Sequence, residues 1–257
     1  MKVLSSVGTL DWMHETNGIL RPRDRVRLIA QGLLFLLHTV SAEVRHALGL
    51  SSVRLARFAL SSLPVPDSAA SREAERLCAQ VPPIVNHSYR SYAWAAILAA
   101  RDDVRYDAEV LYVASLLHDI AFAEPPQYPD GLPRCFLAAS AETAINLGTS
   151  VGWDERRSKA AAEAITLHAN LYVGRDHGPE AYLLYAGARL DQTGFRYGDV
   201  HPDTVRAVLQ RYPRESWKNA CCEMMNKQAL AAPGSRVDFY TRYLAANRFI
   251  MRAPFED

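Results

Sequence analysis

Residues 114–122 read ASLLHDIAF, and this stretch interrupts an apolar helical pattern with a histidine and an aspartate. An imidazole and a carboxylate are costly to bury unless each of them has a partner. His118 and Asp119 directly follow Leu117, in a segment that a helix would bury. The pair therefore needs a hydrogen bond, a helix end or a metal ion, and the rest of the sequence has to distinguish among these partners.

Helical periodicity extends over most of the chain. Apolar residues recur every three or four positions, which is typical of amphipathic helices. The pattern predicts helices near residues 71–80, 87–100, 107–120, 138–151, 155–168, 181–192, 202–211, 215–231 and 236–251. No stretch alternates with a period of two between turn residues, so a substantial sheet is not expected. The sequence therefore predicts an all-α fold.

A Ser- and Pro-rich segment, SSLPVPDSAA at residues 61–70, marks a boundary in the chain. We expect an N-terminal helical extension over residues 1–70. A catalytic domain is expected over residues 71–257, with its C-terminal helices packed on it. The extension contains a long amphipathic helix from Pro22 to Leu48. The apolar face of this helix covers the catalytic domain or meets a second subunit of a homo-oligomer, and the sequence leaves both arrangements open.

The bulk composition is that of an ordinary soluble globular protein. The chain has 257 residues, of which 49% are hydrophobic and 22% are charged, and its net charge is +1. This charge gives no electrostatic footprint for nucleic acid or an anionic membrane. The apolar stretch Leu28 to Val40 is too short to span a bilayer and does not fit a signal peptide. We therefore expect a cytoplasmic protein with free thiols at its four cysteines, Cys78, Cys135, Cys221 and Cys222.

Two further polar residues complete a candidate metal site. His87 lies in VNHSYRSYAW and Asp191 lies in YAGARLDQTGF, each on a helical pattern. Together with His118 and Asp119 they offer two imidazoles and two carboxylates, a set that suits one divalent transition metal ion. Zinc is the preferred ion, and the mixed donors leave iron, manganese and nickel open. A bound cation with an open side would hold a water and lower its pKa toward neutrality. The expected partner is a small-molecule substrate.

The phrases NHSYRSY, LLHDIAF and ARLDQTG, in this order, resemble the signature of the HD-domain metal-dependent hydrolases over about residues 80–200. Within that superfamily, NHSYRSY and AEAITLH look most similar to the cyanamide hydratase branch. The resemblance implies an HD-domain-like helical bundle with His87, His118, Asp119 and Asp191 as metal ligands. It also implies a single zinc-type ion and the addition of water to a nitrile, with urea formed from cyanamide.

Several other residues are assigned with alternatives. His168, in EAITLH, is either a proton shuttle or substrate donor, or else a core histidine with one hydrogen bond. Arg90 stands one turn after His87 and is expected to hold a carboxylate beside the metal. Trp94 is assigned to packing. The remaining histidines have no chemical constellation around them, and no site role is predicted for His14, His38, His46, His177 and His201.

Two rival functions remain open from the sequence. The first is an HD-type phosphohydrolase acting on a nucleotide or another phosphomonoester. Phosphate favours arginine forks, so this hypothesis predicts a cationic pocket. The candidate residues are Arg90, Arg134, Arg189 and Arg196. The second rival is a non-catalytic regulatory module in which the metal ion serves stability alone.

Overall fold

The computed structural model of the chain describes residues 6–33, 55–126 and 134–256. Within these ranges no strand is present, and the β-contacts are isolated bridges, Ile19 with Ser235 and Ala56 with Val200. The all-α prediction is confirmed. The helices are α1 Leu10–Thr16, α2 described over 22–33, α3 Ala69–Cys78, α4 Val85–Asp102, α5 Ala108–Leu117, α6 Phe136–Ser150, α7 Glu155–Leu167, α8 Pro179–Thr193, α9 Pro202–Arg211, α10 Trp217–Ala231, α11 Arg236–Tyr243 and α12 Ala246–Met251.

The observed helices differ from the predicted ones in three main respects. The predicted helix over residues 236–251 is two helices, because Ala245 adopts a left-handed conformation with φ 51° between α11 and α12. Helix α1 was not predicted; it has seven residues, which is too few for a periodic signal. The part of the predicted Pro22–Leu48 helix beyond residue 33, with His38 and His46, lies outside the described residues.

The third departure concerns two helices that end at histidines. α5 ends at Leu117 rather than Ile120, and α7 ends at Leu167, so that His118 and His168 occupy the C-terminal cap positions. The Nδ1 atom of His118 lies 2.7 Å from the carbonyl oxygen of Ser115. The Nδ1 atom of His168 lies 2.7 Å from the carbonyl oxygen of Ile165. Carbonyls of a last helical turn lack helical partners, and a histidine side chain satisfies one of them at each end.

Helices α4 and α8 pack closely together, and a glycine allows it. A Cβ atom added at Gly187 would collide with the carbonyl oxygen of Ser91. Gly187 lies one turn before Asp191, and Ser91 lies one turn after His87. The close approach of the two backbones therefore brings Asp191 and His87 together.

Two hydrophobic cores surround the predicted site. The first core is built mainly by α3–α9 and contains fully buried side chains such as Leu98, Val113 and Leu184. The second core is built by α1, α2 and α10–α12, together with Phe122 and the start of α6. The predicted site residues lie on or directly after α4, α5, α7 and α8, which are helices of the first core.

The cysteines are described, and none forms a disulfide, as their spacing predicts. Burial raises the pKa of the thiols of Cys78, Cys135 and Cys221, which disfavours the reactive thiolate. Among the helices of the described ranges, none combines the length and apolar character that crossing a bilayer requires.

Candidate metal centre

Three buried side chains converge where α4 begins and α5 ends. His87 lies in the first turn of α4, and His118 and Asp119 directly follow α5. The Nε2 atom of His87 lies 3.2 Å from the Nε2 atom of His118. The Oδ2 atom of Asp119 lies 3.6 Å from Nε2 of His87 and 3.5 Å from Nε2 of His118. These three residues form a group that could hold a metal ion.

The hydrogen-bond partners fix which nitrogen of each ring carries the proton. A carbonyl oxygen can only accept, so the Nδ1 atom of His118 donates to Ser115. The Nδ1 atom of His87 faces the carboxylate of Asp191 at 2.7 Å and donates in the same way. Each Nε2 atom therefore presents a lone pair to the other and to the carboxylate of Asp119. A shared cation, whether a proton or a metal ion, would remove this repulsion between buried acceptors.

The spacing of the three donor atoms matches a tetrahedral ion. Zinc–ligand distances of about 2.0–2.2 Å give a regular tetrahedron edges of about 3.3–3.6 Å. The observed separations run from 3.2 to 3.6 Å. Two imidazoles and one carboxylate, with a fourth position left open, are a donor set typical of catalytic zinc sites. The residues present therefore fit a divalent transition metal ion.

The charge states of the group also suit a cation. Burial lowers the pKa of His118 to about 3, outweighing the attraction of Asp119, so the ring is neutral near pH 7. Burial disfavours the charged form of Asp119, but the imidazoles of His118, His168 and His87 outweigh it and lower the pKa of this carboxyl. Neutral imidazoles and an ionised carboxylate are the forms that bind metal ions.

Asp191 lies on the other side of the His87 ring from this group. Its Oδ1 atom accepts hydrogen bonds from Nε of Arg90 at 2.7 Å and from Nε1 of Trp94 at 3.0 Å. Its Oδ2 atom accepts from Nη2 of Arg90 at 3.0 Å and lies 2.7 Å from Nδ1 of His87. Burial opposes the charge of Asp191, but Arg90 and His87 outweigh it and lower its pKa. The structure thus brings Asp191 and Arg90 together beside His87, outside the group of three, and ligation by Asp191 stays a prediction.

His168 lies at the edge of the group. Its Nε2 atom is 3.5 Å from Oδ1 of Asp119, and its ring meets that of His118 edge-on with centroids 4.7 Å apart. Its Nδ1 atom is held by the carbonyl oxygen of Ile165, so Nε2 is the nitrogen that can gain or lose a proton. His168 also lines the adjacent cavity.

Three residues that contact His87 or Asp191 were not among the predicted members of this site. Trp217 stacks on His87 with ring centroids 4.1 Å apart, and Arg214 donates to the carbonyl oxygen of Asp191 at 3.1 Å. Trp217 begins α10 and Arg214 lies in the loop before it, and neither belongs to a motif that the sequence analysis singled out. Trp94, which was assigned to packing, is fully buried and also donates to Asp191. Its position seven residues after His87, on the same helical face, is a signal that could have placed it there.

The group of three forms part of the wall of a cavity of about 450 Å³. Most of the other lining side chains are apolar and belong to the second core, including Phe122, Phe136, Met225, Val237 and Ile250. Of the four arginines that a phosphohydrolase would place at its pocket, Arg189 alone is among the described lining residues. Its guanidinium donates to the carbonyl oxygens of Asn170 and Leu171.

An all-α fold with a buried His-His-Asp group at an apolar cavity defines a candidate metalloenzyme. No protein-family model matches the chain. Two curated proteins of Saccharomyces cerevisiae, cyanamide hydratase DDI2 and cyanamide hydratase DDI3, are each 26% identical to it over 198 residues. The matched region covers 73% of this chain and 86% of each relative. This similarity supports a cyanamide hydratase-like relationship and an enzyme of the hydratase type.

Proposed function

We propose that the chain is an HD-domain metal-dependent hydratase that adds water to the carbon of a nitrile, with cyanamide as the reference substrate. The observation that carries this proposal is the pair of Nε2 lone pairs of His87 and His118, which face each other and Asp119 beside a cavity. The names of the two yeast relatives support the choice of a nitrile.

Different residues of the chain have different roles in the proposed hydration. His87, His118 and Asp119 would hold a divalent metal ion, which when bound supplies Lewis acidity and makes hydroxide available near neutral pH. In the overall reaction the water oxygen becomes bonded to the nitrile carbon, and two protons end on the nitrile nitrogen. His168 holds or transfers a proton at Nε2, because its Nδ1 atom is already committed to Ile165.

Asp191 and Arg90 have positioning roles in this proposal. Asp191 fixes the proton on Nδ1 of His87 and thereby directs Nε2 toward the cation. Arg90 binds both carboxylate oxygens of Asp191 and so sets its orientation. Because both oxygens already have short contacts with His87 or Arg90, the geometry favours orientation of His87 over direct ligation as the role of Asp191.

The cavity argues against both rival functions. A phosphate ester needs several cationic or amide donors, whereas the described lining is mainly apolar with Arg189 as its arginine. A purely structural zinc site is closed by four protein ligands, whereas this group of three opens on a cavity of about 450 Å³. Both features favour a reaction on a weakly charged substrate.

The test is metal analysis combined with a substrate assay. We expect purified protein to carry one equivalent of transition metal and to form urea from cyanamide. A chelator should abolish the activity, and added metal should restore it. The variant His118→Ala should lose the metal ion, whereas the control His14→Ala, at an exposed residue of α1, should keep it. Full metal content in His118→Ala would refute the site. Turnover of nucleoside monophosphates without turnover of cyanamide would establish the phosphohydrolase instead.

A further inference from the structure

The cavity is much larger than the reference substrate. Cyanamide has three non-hydrogen atoms and fills on the order of 60 Å³, about twice the share of 30 Å³ that one water takes in the liquid. The cavity measures about 450 Å³. Pockets of about 300–1,000 Å³ enclose drug-sized ligands, so most of this space would be left unfilled by cyanamide.

The composition of the cavity walls indicates what fills the remaining space. Phe122 lies in the segment after α5, and Phe136 begins α6. Three further apolar wall residues lie on α10, α11 and α12: Met225, Val237 and Ile250. All five side chains are at most 6% exposed. Water in contact with such walls finds few hydrogen-bond partners, whereas an apolar group gains free energy by displacing it.

Tyr240 adds an aromatic ring to these walls. Tyr240 lines the cavity and is 7% exposed, and its hydroxyl has no hydrogen-bond partner among the described residues. Burial raises the pKa of Tyr240 to about 12, so the phenol is protonated and can donate. The hydroxyl oxygen has almost no exposed surface, so a ligand in the cavity would meet the aromatic ring of Tyr240 and not its oxygen.

From the volume and the apolar walls of this cavity we infer that the substrate is an N-substituted cyanamide with an aryl or branched alkyl group. The inference rests on the proposed function. Water adds across the C≡N bond: its oxygen bonds to the carbon, and its two protons end on the terminal nitrogen. The product is an N-substituted urea, and the step needs no oxidant and releases no leaving group.

The test compares cyanamide with N-phenylcyanamide on the metal-loaded enzyme. A single methylene in an apolar pocket is worth about 10–200-fold in kcat/KM, so phenyl substitution should raise kcat/KM by more than about tenfold. Phenylurea should also bind more tightly than urea by calorimetry. Turnover of cyanamide with equal or lower kcat/KM for N-phenylcyanamide would overturn the inference and leave the proposed function standing. No hydration of either compound by the metal-loaded enzyme would overturn both.

Two matched variants test whether the cavity is the cause of the preference for N-phenylcyanamide over cyanamide. Val237→Phe places a ring into the cavity wall, and Val65→Phe makes the same change at a residue that is 54% exposed and does not line it. We expect the ratio of kcat/KM for N-phenylcyanamide to that for cyanamide to fall in Val237→Phe and to stay unchanged in Val65→Phe. An unchanged ratio in a folded Val237→Phe protein would place the preference elsewhere and overturn the inference. If Val237→Phe does not fold, the comparison of the two substrates on the unmodified enzyme decides.

Discussion

The Nδ1 atom of His87 lies 2.7 Å from Oδ2 of Asp191, on the opposite side of the ring from the 3.2 Å contact between Nε2 of His87 and Nε2 of His118. One imidazole thus connects a buried carboxylate to the candidate metal position. Such carboxylate–histidine pairs fix the tautomer of the ring and raise its basicity as a ligand. In the proposed site, Asp191 would therefore affect metal binding through His87.

Asp191→Asn tests this relationship. The amide keeps the shape of the side chain but removes the charge, so we expect metal affinity to fall by about 10–100-fold, as for other carboxylates that orient ligands. Competition with a chromophoric chelator measures the affinity. Asp203→Asn, at an exposed residue, is the control and should bind metal normally. A complete loss of binding, equal to that of Asp119→Asn, would make Asp191 a ligand, and an unchanged affinity would contradict both roles.

Arg90→Gln tests the buried ion pair behind the site. Arg90 and Asp191 are both fully buried, and removing one partner of such a pair costs about 3–5 kcal/mol in the free energy of unfolding. Urea denaturation of the metal-free protein measures the loss. Arg76→Gln breaks an exposed pair with Glu73 and should leave the unfolding midpoint nearly unchanged. Equal unfolding midpoints for Arg90→Gln and Arg76→Gln would contradict a stabilising role for the ion pair of Arg90 with Asp191.

His168→Ala separates proton transfer from metal binding. We expect kcat to fall by about 10²–10⁴-fold, the usual worth of a positioned acid or base. Metal content should stay at one equivalent, because His168 lies outside the group of three. His177→Ala serves as the control, since this residue does not line the cavity. Loss of the metal ion from His168→Ala would show that His168 helps to hold it.

The pair of Asp102 with Arg196 predicts a pH dependence of stability. Burial disfavours the charged carboxylate, but the hydrogen bonds and charge of Arg196 outweigh it and lower the pKa of Asp102 to about 2, below its ordinary value of 3.8. The stabilisation is therefore complete above about pH 4 and is lost as the pH falls through about 2. Its size is about 1–2 kcal/mol after allowance for solvent screening.

Acid titration of metal-free protein checks this value. The free energy of unfolding of the unmodified chain, minus that of Asp102→Asn, should be constant above about pH 4 and should shrink below it. Use of metal-free samples keeps ligand protonation at the site out of the comparison. A difference that grows on acidification would reverse the sign of the pKa shift and contradict the ion pair.

Helical periodicity was sufficient to predict most of the fold, because helices such as α3 and α9 bury a regular stripe of residues that sequence spacing reveals. It could not predict the end of α5, since Ile120 continues the apolar pattern after the helix has stopped at His118. It also could not predict the break between α11 and α12. Alanine is a strong helix former, so the left-handed conformation of Ala245 has no signal in the sequence.

The site was predictable to the level of residue types. Imidazoles and carboxylates on separate helices indicate a shared ion, and the structure places His87, His118 and Asp119 together. The position of Asp191 relative to the His87 ring depends on the rotation of α4 against α8, which residue spacing does not encode. Tyr240 carries no motif, and its place in the cavity wall depends on how α11 packs.

The two cores assign reactivity and selectivity to different parts of the chain. The residues proposed to hold the cation lie on or next to helices of the first core, whereas much of the cavity wall comes from α10–α12 of the second core. In the proposed enzyme, substitutions at the wall residues of α10–α12 can therefore alter which molecules enter while the residues proposed to hold the cation stay unchanged. Natural or laboratory evolution can therefore change the substrate of the proposed enzyme through α10–α12 without changing the residues proposed to hold the cation.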